Sequence, residues 1–107
     1  MFFGGAVLHP MNVTCQNPSI AAIVGSGNSS CSTTATRVSK QYPKEGNRSI
    51  HMIVGMAEMI IELLDYYRHE NQYLPNKVIF YRDGINNEEF LEVLDYEIAA
   101  IRRAFFS

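Results

Sequence analysis

One acidic residue occupies a position where sheet proteins often bind ligands. Asp83 follows the apolar run VIFY at 78–81 and precedes Gly84. Ligands of open α/β sheets gather at the carboxyl ends of the strands, and carboxylate oxygens are the donors that Mg²⁺ prefers. Asp83 is therefore a candidate metal ligand. The alternative is an Asp-Gly turn residue, which ends the strand through local hydrogen bonds.

A histidine and an arginine near predicted strand ends could contact a nucleic-acid backbone. His9 ends the first apolar run beside Pro10, and Arg82 directly precedes Asp83. Guanidinium and imidazole groups donate hydrogen bonds to phosphate. For His9 the alternative is a strand-end histidine beside a proline turn. His51, on the polar side of a predicted helix, is interpreted as a solvated histidine.

Three tyrosines cluster near the end of that helix: Tyr66, Tyr67 and Tyr73. Aromatic clusters of this kind can stack bases or receive a tryptophan from a protein partner. The simpler explanation, which we favour, is that half-buried tyrosines cover the sheet edge.

Length and composition limit the classes of function. The 107 residues, 47% of them hydrophobic, suffice for one core, and a net charge of −2 excludes a generally basic surface that would bind phosphate strongly. Cys15 and Cys31 lack CxxC spacing, which favours free thiols and gives no indication of a zinc site. The apolar residues 1–7 are too short for a membrane span, and no targeting signal or membrane partner is indicated.

Three strands are predicted in the first part of the chain. Residues 1–8 form an apolar run that ends before His9-Pro10, and residues 19–25 form a second run of the kind buried on both faces. A Gly-rich turn at 25–28 connects it, as a hairpin, to residues 31–40. The polar composition of this third run predicts an edge strand.

Two helices and one further strand follow. Ser49 is the predicted cap of a helix that ends near Arg68, and the VIFY run predicts a central parallel strand reached by a crossover. Asn86 and Glu89 form a capping-box-like pair before the last helix. The predicted core stripe of the first helix is Ile50, Ile53, Ala57, Ile60 and Leu64, opposite a solvent stripe of His51, Gly55, Glu58, Glu62 and Asp65. The predicted core stripe of the last helix is Phe90, Leu94, Ile98, Ile101 and Phe105.

Three segments in this order resemble the PIWI domain of eukaryotic Argonautes: NPSIAAIVGS at 17–26, KVIFYRDG at 77–84 and LDYEIAAIRRAF at 94–105. The resemblance extends over nearly the whole chain. Residues 1–107 are therefore identified as a partial PIWI domain, truncated on its C-terminal side. The implied fold is α/β and partially ribonuclease-H-like, with the order β-β-β-α-β-α and a mixed sheet packed by two helices.

The family activity implied by this resemblance is metal-dependent RNA cleavage, in which carboxylates hold two Mg²⁺ ions. The family motif Gly-Ala-Asp-Val-Ser/Thr-His-Pro corresponds here to GGAVLHP at 4–10, so Ala6 stands at the first acid. Asp83 matches the second acid, and the family glutamate falls on His51, or on Glu45 if the loop is realigned. The last metal ligand of the family belongs to a strand and helix that follow the segments matched here. The resemblance thus implies a vestigial catalytic and metal position at Asp83, no functional cofactor, and no cleavage.

The implied function is binding of small guide RNA and target RNA in gene silencing, in the cytoplasm or the nucleus. The implied partners also include tryptophan-containing scaffold proteins. In the family, the MID domain holds the 5′ phosphate of the guide, so binding by this segment alone should be weak. The alternative function is a truncated structural or protein-interaction remnant, since an unfinished sheet exposes apolar edges.

Overall fold

A computed structural model describes residues 1–9, 18–28, 32–42, 52–83 and 90–106. The elements are β1 (Phe2–Leu8), β2 (Ser19–Ser26), β3 (Thr34–Gln41), α1 (Met56–Asn71), β4 (Ile79–Arg82) and α2 (Phe90–Phe105). This confirms the predicted α/β order β-β-β-α-β-α. Neither helix is long and apolar enough to cross a membrane.

The four strands form one mixed sheet in the order β3-β2-β1-β4. Strands β1, β2 and β3 pair antiparallel, and β4 pairs parallel to β1 from Phe2↔Ile79 to Gly5↔Arg82. Among the described strands β3 lies at the edge, as predicted. Within the described residues, β4 has a neighbour on one side only, so the central position predicted for it is not seen among them. Its apolar composition arises differently: Phe80 packs against the core, whereas Ile79 and Tyr81 are exposed.

Both helices cover the same face of the sheet. Ala21 and Ile23 of β2 are fully buried on that face, beneath α1, while Val24 on the opposite face is 38% exposed. The prediction that β2 is buried on both faces is therefore wrong. The core lies between the covered face and the helices, and its largest members are Phe3, Ile23, Ile53, Met56, Ile60 and Leu63. No described element covers the second face.

Helix α1 begins later than the sequence predicts. It starts at Met56 after Gly55, whose φ of 74° places it in the left-handed region, where an L side chain is strained. The predicted cap, Ser49, lies outside the described residues, and Gly55 occupies the cap position of this helix. Ile53 is buried, as predicted, but it precedes the helix.

A glutamine side chain holds the segment that leads into α1. The Gln41 amide nitrogen donates to the Met52 carbonyl at 2.9 Å, and its amide oxygen accepts from the Val54 backbone N–H at 2.7 Å. One side chain from β3 thus satisfies a backbone acceptor and a backbone donor on either side of Ile53. This fixes the depth at which Ile53 enters the core.

The body of α1 follows its predicted amphipathic pattern. Ala57, Ile60 and Leu64 are buried, and Met59 and Leu63 widen the stripe. The predicted polar residues Glu58, Glu62 and Asp65 are exposed. The helix ends at Asn71 rather than near Arg68, where Gln72 adopts a left-handed conformation and its N–H donates to the Arg68 carbonyl at 2.7 Å.

Helix α2 packs on a different face from the one predicted. Its buried residues are Val93, Glu97, Ala100 and Ala104. The predicted stripe lies one residue further along, which is about 100° around the helix. Ile101 of that stripe is half-buried. The other four members are 37% to 50% exposed: Phe90, Leu94, Ile98 and Phe105. Small alanines let α2 approach α1 closely, so packing favours them over the larger apolar residues. The Asn86–Glu89 cap lies outside the described residues.

Glu97 is a buried carboxylate that connects three parts of the fold. Its two oxygens accept from Arg82 Nε at 3.0 and 3.1 Å, and one of them also accepts from the Ile53 backbone N–H at 3.1 Å. The side chains of Arg82 and Glu97 are only 10% and 5% exposed. A charge so buried requires partners, and these bonds supply them. The pair therefore holds β4, α2 and the segment before α1 together.

The packed face of α2 can be tested with two adjacent alanines. Ala100 is 2% exposed and Ala99 is exposed. Ala100→Asp should lower the free energy of unfolding by about 3–5 kcal/mol because it buries an unpaired charge. Ala99→Asp has the same helix propensity and should cost about 1 kcal/mol or less. Urea denaturation measures both. Equal effects would mean that the buried face is wrongly assigned.

The buried ion pair can be compared with an exposed one in the same chain. Glu97→Ala should cost about 3–5 kcal/mol, because it leaves the buried Arg82 guanidinium and the Ile53 N–H without their carboxylate. Glu62→Ala removes the exposed pair with Arg37, whose Nε–Oε2 distance is 2.8 Å, and should cost at most about 1 kcal/mol. Thermal and urea unfolding of the two variants provide the comparison. A Glu97→Ala loss no larger than that of Glu62→Ala would contradict the role of Glu97.

Candidate functional site

The carboxyl ends of β1 and β4 meet at one end of the sheet. The last registered pair is Gly5↔Arg82, and the backbone N–H of Asp83 donates to the Gly5 carbonyl at 3.0 Å. This bond extends the ladder by one residue and places Asp83 beside Ala6. The two positions that the sequence motifs match to the first and second acids are therefore neighbours, although they are 77 residues apart in sequence.

The donors at this end do not fit a pair of divalent ions. The Ala6 methyl group provides no ligand, whereas a two-metal site needs carboxylates that bridge or flank both ions. Across the described residues, no group of three or more His, Cys, Asp or Glu side chains is placed to hold a metal ion. Asp83, an exposed residue, contributes one carboxylate. Glu45 and His51 lie outside the described residues.

His9 is exposed at the same end of the sheet. Its Nδ1 lies 2.7 Å from the hydroxyl oxygen of Ser19, the first residue of β2, which is 1% exposed. This bond fixes the imidazole ring over the end of the β1–β2 ladder. His9 therefore has a structural role as a strand-end residue, and contact with nucleic acid stays a prediction.

Arg82 points to the covered face of the sheet, where Glu97 binds its guanidinium group. The same guanidinium also contacts the backbone carbonyl of Asp83. The sequence analysis missed the partner, which lies 15 residues later on the buried face of the following helix. The available signal was Glu97 itself, an acidic residue within the mainly apolar pattern of this helix. Phosphate binding by Arg82 stays a prediction and would compete with this ion pair.

The tyrosines contribute mostly to packing. Tyr67 is 6% exposed, and its ring meets Tyr73 edge-on with centroids 6.1 Å apart. Burial raises the pKa of the Tyr67 phenol, and the neighbouring Tyr73 phenol raises this pKa further. Tyr66 is half-buried and closely covers Gly27, where an added β-carbon would lie 2.6 Å from its hydroxyl oxygen. Tyr73 is 62% exposed. Binding of bases or of a tryptophan by this cluster stays a prediction.

Solved structures share this arrangement of strands and helices. The C-terminal lobe of a budding yeast Argonaute superposes with a TM-score of 0.79 at 23% identity, over 96% of this chain and 19% of that chain. Kluyveromyces polysporus Argonaute with a guide RNA gives a TM-score of 0.79 at 25% identity, over 96% of this chain and 12% of that one. The MID-PIWI domains of N. crassa QDE-2 give 0.75 at 21% identity, over 96% and 29%.

The present chain thus spans between 12% and 29% of the length of these three structures. Its fold is α/β and partially ribonuclease-H-like, with Ala6 and Asp83 side by side at the ends of β1 and β4. The family model of the Piwi domain matches residues 1–107. The chain belongs to the Piwi domain family.

Proposed function

We propose that the chain forms part of the RNA-binding surface of an Argonaute-type protein and does not cleave RNA. In this proposal it contacts a small guide RNA and its paired target, and it acts in RNA-mediated silencing in the cytoplasm or the nucleus. The observation that carries the proposal is the position of Ala6 beside Asp83. A Kluyveromyces polysporus relative solved with a guide RNA supports the choice of ligand.

The loss of cleavage follows from the chemistry of the acid positions. Two-metal cleavage needs carboxylates to hold both ions on either side of the scissile phosphate. At the sheet end described here, Ala6 replaces one carboxylate with a methyl group, and Asp83 alone cannot bridge two ions in a fixed geometry. RNA can still lie across this end of the sheet, because binding to the backbone does not require the metals.

The charge of the chain argues for weak binding when it acts alone. Its 9 Lys and Arg residues are outnumbered by 11 Asp and Glu residues. The guanidinium of Arg82, next to the acid position, is engaged by Glu97. Since phosphate contacts by cations supply most of the affinity for nucleic acid, the segment should depend on other parts of a larger protein.

A second candidate function is protein interaction, including contacts with tryptophan-containing scaffold proteins. The apolar residues exposed on α2 and on the open sheet face favour it, since contiguous exposed apolar surface is typical of interfaces. Tyr73 and Leu74, 62% and 54% exposed beyond α1, offer a smaller apolar surface for such a partner.

Binding of RNA to the isolated chain should be weak. Titration of a fluorescent, 5′-phosphorylated short RNA at physiological salt should give a dissociation constant above about 1 µM, in the range of nonspecific binding. His9→Ala should weaken binding about twofold to fivefold by removing one hydrogen-bonding group at the sheet end. His69→Ala, which removes an exposed histidine at the far end of α1, is the control and should have no effect. A submicromolar constant, or equal effects of both variants, would contradict the proposed weak contact at this end.

The missing carboxylate can be restored. Ala6→Asp should create a divalent-ion site with Asp83, and Ala6→Asn, of nearly equal size but without charge, should not. Paramagnetic broadening of backbone amide signals by Mn²⁺ measures this without any cleavage assay. We expect signals from residues near positions 6 and 83 to broaden at lower Mn²⁺ in Ala6→Asp than in the natural chain or in Ala6→Asn. Equal broadening in all three proteins would show that the two positions do not form a metal site.

A further inference from the structure

Lys40 lies at the same end of the sheet as Ala6 and Asp83. In the strand register, Lys40 of β3 is opposite Ile20 of β2, and Ile20 is opposite Leu8 of β1. Leu8 is the last residue of β1, two positions after Ala6. This end of the sheet therefore carries an acid beside β4 and a cation on β3, at its two sides.

The Lys40 side chain extends from the face of the sheet opposite the helices. Three other residues of β3 face the helix side. Ala35 packs against the core, and Arg37 pairs with an acid of α1. Gln41 holds the segment that leads into α1. Because side chains alternate along a strand, Lys40 projects to the other face, where it is exposed.

Among the described Lys and Arg side chains, Lys40 is the one at this sheet end that no acid holds. Arg82 is bound by Glu97. No hydrogen bond or ion pair within the described part of the chain involves the Lys40 side chain. The other described cations lie on the helix side or at the far end of the sheet: Arg37, Arg68, Lys77, Arg102 and Arg103.

We propose that Lys40 binds a backbone phosphate of an RNA strand that crosses this end of the sheet. The RNA backbone then runs on the β3 side, away from Asp83. This inference rests on the proposed RNA binding and names one contact within it. A lysine ammonium binds phosphate as a point charge and does not read the base, so the contact should be independent of RNA sequence.

The distance between Lys40 and Asp83 allows a phosphate to bind near one without strong repulsion from the other. The two residues belong to the two outer strands of the described sheet or directly follow them. Three strand spacings of about 4.8 Å, or about 14 Å in all, therefore separate them. This exceeds the Debye length of about 8 Å at physiological salt, so the Asp83 carboxylate repels a phosphate at Lys40 only weakly. Ala6 and Ala22, which pair between them, carry no charge.

Titration of the full chain with a fluorescent single-stranded RNA, at several salt concentrations, tests the proposal. Lys40→Gln should weaken binding about twofold to fivefold. It should also lower the slope of log affinity against log salt concentration by about 0.7, the contribution of one phosphate contact on a single strand. Lys77→Gln removes the same charge at the opposite end of the sheet and should leave the slope unchanged.

The outcomes of this titration separate the contact from the function on which it rests. Equal slopes for Lys40→Gln and Lys77→Gln would overturn the Lys40 contact while leaving RNA binding in place. No binding by the natural chain at RNA concentrations up to about 100 µM would refute the proposed function and this contact with it.

Chemical footprinting locates the contact without any substitution. Lysine amines of the natural chain are acetylated with and without RNA, and the peptides are measured by mass spectrometry. RNA should slow the acetylation of Lys40 and leave that of Lys77 unchanged. Because the natural chain is used, misfolding of a variant cannot affect the result. Equal protection of the two lysines, or none at Lys40 when the RNA is saturating, would contradict the proposed contact.

Discussion

The carboxylate of Glu97 connects segments that are far apart in the sequence. It binds Arg82, 15 residues earlier, and the backbone of Ile53, 44 residues earlier. Hydrophobic packing alone would allow α2 to rotate or slide over α1, because dispersion and burial are not directional. A buried carboxylate with two fixed donors is directional, so it sets the rotation of α2 and its position along β4. Together with the close packing of Ala100 and Ala104, this constraint determines which side of α2 is buried and leaves its large apolar residues exposed.

In the part of the chain that the structure describes, the helices cover one face of the sheet, and this determines where ligands can approach. With both helices on one side, β1 and β4 are held from the Phe3–Phe80 side, where the ring centroids are 6.3 Å apart. Their carboxyl ends remain exposed, and Ala6 and His9 lie at this rim together with Asp83. The end of β1 and the ladder bond from the Asp83 N–H to the Gly5 carbonyl position this rim.

The sequence predicted the sheet better than the helices. Short apolar runs bounded by Gly and Pro identified β1 and β2, and the polar Thr-rich run identified an edge strand, because strand signals are local. The start of α1 was predicted too early because Ile50 and Ile53 have the same helical spacing as the apolar residues that follow Gly55. The left-handed conformation of Gly55 sets the beginning of the helix at the next residue. The packed face of α2 was missed because large apolar residues dominate a periodicity count, whereas close packing against α1 selected Ala100 and Ala104.

The difference between local sequence signals and packing between elements also applies to the candidate site. The neighbouring positions of Ala6 and Asp83 follow from sequence motifs and parallel strand pairing. The partner of Arg82 does not, because an ion pair between a strand and a helix depends on the rotation of that helix.

The side-by-side position of Ala6 and Asp83 also has a consequence for folding. Two carboxylates on neighbouring strand positions repel each other, and this repulsion destabilises the folded state unless cations neutralise it or one acid takes up a proton. With a methyl group at residue 6, the ends of β1 and β4 can pair without such help. The methyl group at residue 6 thus avoids an electrostatic repulsion beside Asp83, so that pairing of the two strand ends requires no cation to offset it.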